Sequence, residues 1–375
     1  MNKPYGIPME RCAGGEPILT PTKNWWETGV TFNAAAVYLE RSRQNDAVIA
    51  ALLPMRRLDD PQLADGVVAV HYRARPEVDP GSEFTRSFIG LAIFTPDLQL
   101  LYRYQEPVIF PSASPDGYDH LGVEDPRITR LGDTFYIVYC GVQSDPTRGW
   151  KANLCLAASK DLLHWEKAGI MPGDIAANNN KDGVLFPEPI HGRYYLLHRP
   201  FAEGMPHADI AMHLAESASL DGPWRNHGEI LRAFPNPRCR ASWVGAGSVP
   251  VALGGGRFLA IYHTGNYLNE TDREYDLDAA LLDFNAFDPS QPATLVQARL
   301  EPLMVPETTA ELRSRSQLQV GNVLFACGSY EYQGYLYIIY GGADTYTLAA
   351  RVKQSVLLEA LEHAGLDNPF MEGKP

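Results

Sequence analysis

The sequence predicts an all-β chain, a five-bladed β-propeller with a short C-terminal helix. Three observations carry that expectation. Five segments share one pattern: a turn containing Gly or Asp, an apolar run, then Tyr or His, then a polar or small residue. A second strand-like stretch precedes the segment in four of the five. Helical periodicity is scarce outside the tail.

In chain order the segments are ADGVVAVHYRA ending at Tyr72, LGDTFYIVYCG at Tyr139, HGRYYLLHRP at His198, GGGRFLAIYHTG at Tyr262 and YQGYLYIIYGGADT at Tyr340. Each run is short, rich in Val, Ile, Tyr and Phe, and opened by a turn residue, which is how strands read. The upstream partners are GVEDPRITRL, KDGVLFPEPI, GAGSVPVAL and GNVLFACGSY, so each pair reads as a hairpin. Intervals of about 60 to 80 residues exceed the ~40–50 of common propeller repeats and predict generous loops. A two-sheet sandwich also offers many short strands, but stacked repeats explain the shared unit and a sandwich does not. No linker divides the chain, so one domain over 1–375 is expected. Its helical tail covers about 352–366, where Val356, Leu357, Ala360 and Leu361 lie at helical spacing.

In a propeller the inner strands converge on one axis. The positions just after each Tyr or His (Arg73, Cys140, Arg199, His263 and Gly341) are therefore expected to gather at one pocket. Three of them carry basic side chains in a chain of formal charge −13.

Composition excludes several classes. There is no basic run to track nucleic-acid phosphates. The five cysteines form no CxxC pair, and no His or carboxylate set stands at metal spacing, so neither a metal nor a disulfide framework is expected. The opening MNKPYGIPMER has no apolar core and no 18-residue apolar run follows, which predicts a cytoplasmic chain with no membrane partner. Phosphate-loop and Gly-x-Ser-x-Gly patterns are missing.

Asp125 lies before Pro126, which biases it to extended backbone. A carboxylic acid kept protonated there can donate to a leaving glycosidic oxygen, although Asp before Pro is also a common turn residue. In a regular strand Glu124 points the opposite way. Lys181 and Asp182 follow three Asn residues, either as a solvated turn or as a pocket-mouth loop whose ammonium binds an anion. Glu188, after Pro187, is the best second carboxylate from the residues alone. At Asp344, the preceding Gly pair permits a tight strand exit that aims the carboxylate at the axis.

Taken in register, GVEDPRI, NKDGVLFPE, YYLLHRP, GAGSVP, IYH and YGGADT resemble glycoside hydrolase family 130, over about Asn33 to Ala349. The resemblance implies a five-bladed propeller and mannoside phosphorolysis with inversion. It makes Asp125 the general acid, its proton travelling through a hydroxyl of the bound mannose. Lys181, His263 and Arg73 correspond to phosphate ligands, with Arg199 in either a structural or a phosphate role. Asn33 and Asp344 correspond to ligands of the mannose in the −1 subsite, and Glu124, Arg127, Asp182 and Tyr267 are further candidate substrate contacts. Inorganic phosphate is a co-substrate and no cofactor is implied. The partners are a β-mannosyl oligosaccharide, β-1,4- or β-1,2-linked, and a second copy of the chain, because relatives often form homo-oligomers.

An inverting phosphorylase needs one protein acid, since phosphate replaces the base-activated water. Convergent cations then hold the dianion, and a His among them predicts sensitivity near neutral pH. The alternative is an inverting β-mannosidase using water, with Glu188, Glu203 or Glu270 as base, ~6.5–9.5 Å from the acid. The long stretches around 76–86 and 100–118 are expected to shape the acceptor subsite. Arg148 and Lys151 are expected to reach the phosphate site.

Overall fold

A computed structural model describes residues 7–77, 85–147, 149–315 and 320–370. Arg148 and most of the 76–86 stretch lie outside the described residues. Strand β1 (Glu10–Arg11) opens the chain. Blade 1 is β2 (Val30–Leu39), β3 (Val67–Arg75), β4 (Phe88–Phe94) and β5 (Leu100–Arg103). Blade 2 is β6 (Gly122–Leu131), β7 (Thr134–Asp145), β8 (Gly149–Ser159) and β9 (Glu166–Ile170). Blade 3 is β10 (Asn179–Leu185), β11 (Tyr194–Phe201), β12 (Met212–Ser217) and β13 (Arg225–Leu231). Blade 4 is β14 (Ala241–Ala246), β15 (Val251–Gly254), β16 (Arg257–Tyr267), β17 (Arg273–Asp283) and β18 (Val296–Met304). Blade 5 is β19 (Leu324–Tyr332), β20 (Tyr335–Gly342) and β21 (Tyr346–Lys353), and β1 pairs with β21 as its outermost strand. The first strand of the chain thus completes the last blade, which removes a free edge and closes the ring. The five-bladed propeller is as the repeats predict.

The strands that carry the repeat pattern are β3, β7, β11, β16 and β20. They are the second strands of their blades, while the innermost are β2, β6, β10, β14 and β19. Second strands are covered on both faces by neighbouring blades, so they read as continuous apolar runs and are the easiest to find. Along β3, Val68, Val70, Tyr72 and Ala74 pack toward blade 5, whereas Val67 and Ala69 pack toward blade 2. One such apolar cluster fills each of the five seams. At about 25 cal/mol per Å² of apolar surface, these seams are the main source of stability.

Three α-helices, one of them a single turn, complete the frame among the described residues. The tail helix α3 (Gln354–Ala364, after the one-turn α2, Thr309–Leu312) starts later than expected, because Val352 and Lys353 belong to β21. Its Leu357 and Leu361 are buried against blades 4 and 5. Helix α1 (Arg43–Leu52), between β2 and β3, was not expected. Ser42 caps it by accepting from the Asn45 N–H at 3.1 Å. Only Ile49 and Leu52 are buried, too few apolar positions for a periodicity reading to register. No described helix is long and apolar enough to cross a membrane.

Candidate active site

The site is built by one irregularity repeated around the ring. In blades 1, 2 and 3 the ladder between first and second strands shifts register at Asn33, at Asp125–Pro126 and at Asp182–Gly183. Each shift is a β-bulge, which re-aims a side chain. Asn33, Asp125 and Asp182 take φ of 47°, 50° and 56°. Asn and Asp tolerate this left-handed region better than other side-chain-bearing residues, so residue type and backbone agree. Blade 5 has a comparable shift at Cys327, while blade 4 is regular there and carries Gly245 opposite His263.

The bulge overturns the expectation that Glu124 and Asp125 face apart. Arg73 donates from Nη2 to Glu124 and from Nη1 to Asp125 Oδ1 at 3.1 Å, so one guanidinium spans both carboxylates. Asn33 Nδ2 donates to the same Asp125 oxygen at 2.8 Å, and Arg73 Nε donates to Ser87 Oγ at 3.0 Å. Lys181 Nζ reaches the other oxygen of Glu124 at 3.5 Å and lies 5.8 Å from the Trp150 ring centroid. Burial pushes the Asp125 pKa up, but Arg73, Lys181 and Arg127 outweigh burial and hold it below the ordinary carboxylate range.

Asp182 anchors a second cluster. Arg199 Nε donates to its Oδ2 at 2.5 Å, Arg127 Nη2 approaches Oδ1 at 3.3 Å, and His263 Nε2 stands 3.5 Å from Oδ2. Burial opposes its ionisation, yet Arg199 and the other neighbours lower its pKa well below the usual value. Gly245 makes room for this carboxylate, since a Cβ there would sit 2.2 Å from Asp182 Oδ2 and 2.6 Å from His263 Nε2. Arg127 is fully buried and also donates to the carbonyls of Asp125, Ala246 and Gly247, at 3.1, 3.0 and 3.1 Å. It braces the bulge that presents Asp125.

His263 has no exposed surface and rests on Phe325, ring centroids 4.2 Å apart. Burial pushes its pKa down to about 3 against the pull of Asp182. It is neutral near physiological pH, so the expected His-driven sensitivity there does not arise from this residue. Asp344 follows β20 with φ of 49°. The positive φ falls on Ala343 and Asp344, while Gly341 serves space: a Cβ there would meet Asn33 Oδ1 at 2.1 Å. Burial and the nearby Asp125 push Asp344 up to about 6, against Arg73 and Arg75.

Of the residues expected to gather, Arg73, Arg199, His263 and Gly341 surround this constellation, and Cys140 pairs with Glu124 across the blade 2 ladder. Tyr267 lies at the rim, in a cleft of about 440 Å³ shared with His207, Arg240 and Glu270. Glu270 is exposed and pairs with Arg240 at 3.3 Å, and Glu203 is exposed on the loop after β11. Glu188 is the correction. It sits in the hairpin between β10 and β11, at the end of the blade opposite Asp182, because the strand carries the chain away from the pocket. Lys151 Nζ is turned to the Ala176 carbonyl at 3.3 Å. Sequence reasoning missed Arg75 and Ser87, which no motif flags. Among the described residues no cluster of His, Cys, Asp or Glu is placed to hold a metal ion.

The family model of glycoside hydrolase family 130, described as beta-1,4-mannooligosaccharide phosphorylase, matches residues 67–363. The chain belongs to this family. It is similar to a 1,2-beta-oligomannan phosphorylase of Thermoanaerobacter sp. (strain X514), 29% identical over 333 residues, covering 88% of this chain and 92% of the relative. A beta-1,2-mannobiose phosphorylase of Listeria innocua is 31% identical over 258 residues, covering 69% of this chain and 64% of that protein. The solved structure of the beta-1,2-mannobiose phosphorylase from Listeria innocua with beta-1,2-mannobiose shares the fold, with TM-score 0.70 at 23% identity over 95% of this chain and 100% of that one. These relatives are named phosphorylases, and the chain belongs to their family of enzymes. The family of mannoside phosphorylases also contains glycoside hydrolases that target β-1,2 mannosidic linkages.

Proposed function

We propose that the protein is an inverting phosphorylase that releases α-mannose 1-phosphate from a β-mannosyl oligosaccharide. The observation that carries this reading is the surrounding of one carboxylate, Asp125, by Arg73, Lys181 and Arg127. The three glutamates expected as bases lie elsewhere, Glu188 at the far end of its blade and Glu203 and Glu270 exposed on loops, while Glu124 in the pocket is engaged by Arg73 and Lys181. The names of the similar proteins favour β-1,2 linkage as the first to test.

In the reaction a phosphate oxygen attacks the anomeric carbon from the face opposite the leaving sugar, and the carbon–oxygen bond to that sugar breaks with inversion. Asp125 gives its proton, through a mannose hydroxyl, to the departing oxygen. The proton left on the attacking phosphate then returns to Asp125, so the acid is regenerated. In this reading Asn33 and Asp344 hold the reacting mannose, while Lys181, Arg199 and Arg73 draw the dianion, with His263 as a neutral contact. A dianion engaging Arg73 and Lys181 also relieves the pull that keeps Asp125 ionised, so phosphate itself favours the protonated acid.

The test is turnover of β-1,2- and β-1,4-mannobiose with and without inorganic phosphate, following mannose 1-phosphate by chromatography. Phosphate-dependent sugar phosphate is the expected result. Free mannose formed at the same rate without phosphate would instead make the protein a hydrolase.

A further inference from the structure

Alternation along β3 places Arg73 and Arg75 on one face. Val67, Ala69 and His71 of that face are buried toward blade 2, and His71 Nε2 lies 2.7 Å from the Leu162 carbonyl there. At Arg73 the face meets the pocket. Arg75 comes two residues, roughly 7 Å, further toward the mouth. Its backbone is fixed, since Val30 pairs with it and the Gly29 N–H donates to its carbonyl at 3.0 Å.

The cations of this pocket differ in what they already hold. Arg73 and Arg199 each contact a carboxylate oxygen, at 3.1 and 2.5 Å, and Arg127 is committed to Asp182 and three carbonyls. Among the described residues Lys181 meets one carboxylate, Glu124 at 3.5 Å. Arg75 forms no ion pair with any described residue, and its Nε is buried without an acceptor. Burial and the like charge of Arg73 both oppose its ionisation, with Glu124, Asp344 and Asp125 pulling the other way from a distance. A buried guanidinium donor without a partner is costly, and such groups are normally satisfied. A ligand oxygen is the natural acceptor.

We propose that Arg75 is a phosphate-binding residue, the cation whose hydrogen bonds the fold leaves open for the incoming dianion. The inference rests on the phosphorylase reading. It adds a fourth basic residue to Arg73, Lys181 and Arg199 and gives it a distinct job. Glu124, Asp125 and Asp182 offset most of the charge of Arg73, Lys181, Arg199 and Arg127, so Arg75 adds to the excess positive charge that a dianion requires. The planar fork of a guanidinium suits two phosphate oxygens at once, which a lysine ammonium does not.

The test uses the full chain with Arg75→Gln and Arg75→Lys, varying phosphate at saturating β-1,2-mannobiose and the reverse. Inorganic phosphate binding is followed separately by calorimetry, and folding by thermal unfolding. Loss of a charge-assisted pair predicts that KM for phosphate rises about tenfold or more in Arg75→Gln. The Lys variant should recover part of that loss, and KM for mannobiose should stay within about threefold. An unchanged phosphate KM in a phosphate-dependent wild type overturns the assignment, as does a rise in the mannobiose KM alone, which would put Arg75 on the sugar. Should the Gln variant not fold, the Lys variant decides the question by the same comparison. A wild type that neither binds nor needs phosphate would sink the phosphorylase reading itself, a result distinct from failure of Arg75 alone.

Discussion

Asp344 offers a perturbation whose sign is set by its surroundings. Burial and the charge of Asp125 push its pKa from an ordinary 3.8 to about 6, so the folded chain prefers the neutral acid. Between about pH 4 and pH 6 the folded state therefore binds more protons than the unfolded one, and stability falls as pH rises through that window. Above it the loss is complete and amounts to roughly 3 kcal/mol, an upper figure because part of the residue meets solvent at the pocket mouth. Asn cannot ionise, so Asp344→Asn escapes the loss. Urea unfolding should find the variant more stable by about 2–3 kcal/mol at pH 8 and by about half as much at pH 5. Turnover should fall at the same time, since in the proposed function this carboxylate holds the reacting mannose. A variant less stable than the parent at pH 8, or one whose advantage is equal at both pH values, would refute the electrostatic account of this residue.

Other positions give sharper contrasts. Asp182→Asn leaves Arg127 and Arg199 without their carboxylate and should cost about 3–5 kcal/mol, read as a lower urea midpoint at unchanged slope; a loss under about 1 kcal/mol would mean the cluster is not structural. Gly245→Ala drives a methyl against Asp182 and His263 and is expected to reduce turnover and stability together, whereas the same change at exposed Gly132, where a Cβ meets nothing, should spare turnover. Phosphate binding should take up protons at neutral pH, measured by calorimetry in buffers of different ionisation enthalpy, and Asp125→Asn should abolish both that uptake and turnover. Glu203→Gln and Glu270→Gln should keep phosphate-dependent turnover within a fewfold; a complete loss in either would revive the water mechanism.

How far the sequence revealed these features depends on how each residue is held. The second strands are buried on both faces, so VVAVHY, FYIVY, YYLLH, FLAIY and YLYIIY announce the blades without help from any contact. The partner β2 in TFNAAAVYL lacks the turn signal that marked the other four hairpins, because α1 and its surrounding loops separate it from β3. Closure by β1 rests on two residues and has no sequence signal at all. Within the site, motif residues fall near the pocket, but period-two reasoning placed Glu124 wrongly, since alternation fails at a bulge. His263 shows a different limit. Its position was legible, but its neutrality depends on Phe325 and on blades distant in sequence.

The repeated bulge links fold to chemistry more directly than any single motif. A regular inner strand would turn alternate side chains into the seams, where an unpaired charge is costly. One extra residue, in the left-handed region, swings Asn33, Asp125 and Asp182 toward the pocket without breaking the ladder on either side. The second strand then brings up a cation one ladder step away, Arg73 beside the first bulge and Arg199 beside the third. Acid and cations are thus supplied by the same local device in different blades, and their spacing is fixed by strand pairing rather than by loops. This explains why the site tolerates so much buried charge: Glu124, Asp125 and Asp182 each meet a guanidinium. It also bears on Arg75, one alternation beyond Arg73 along β3, whose Nε no carboxylate of the neighbouring ladder meets.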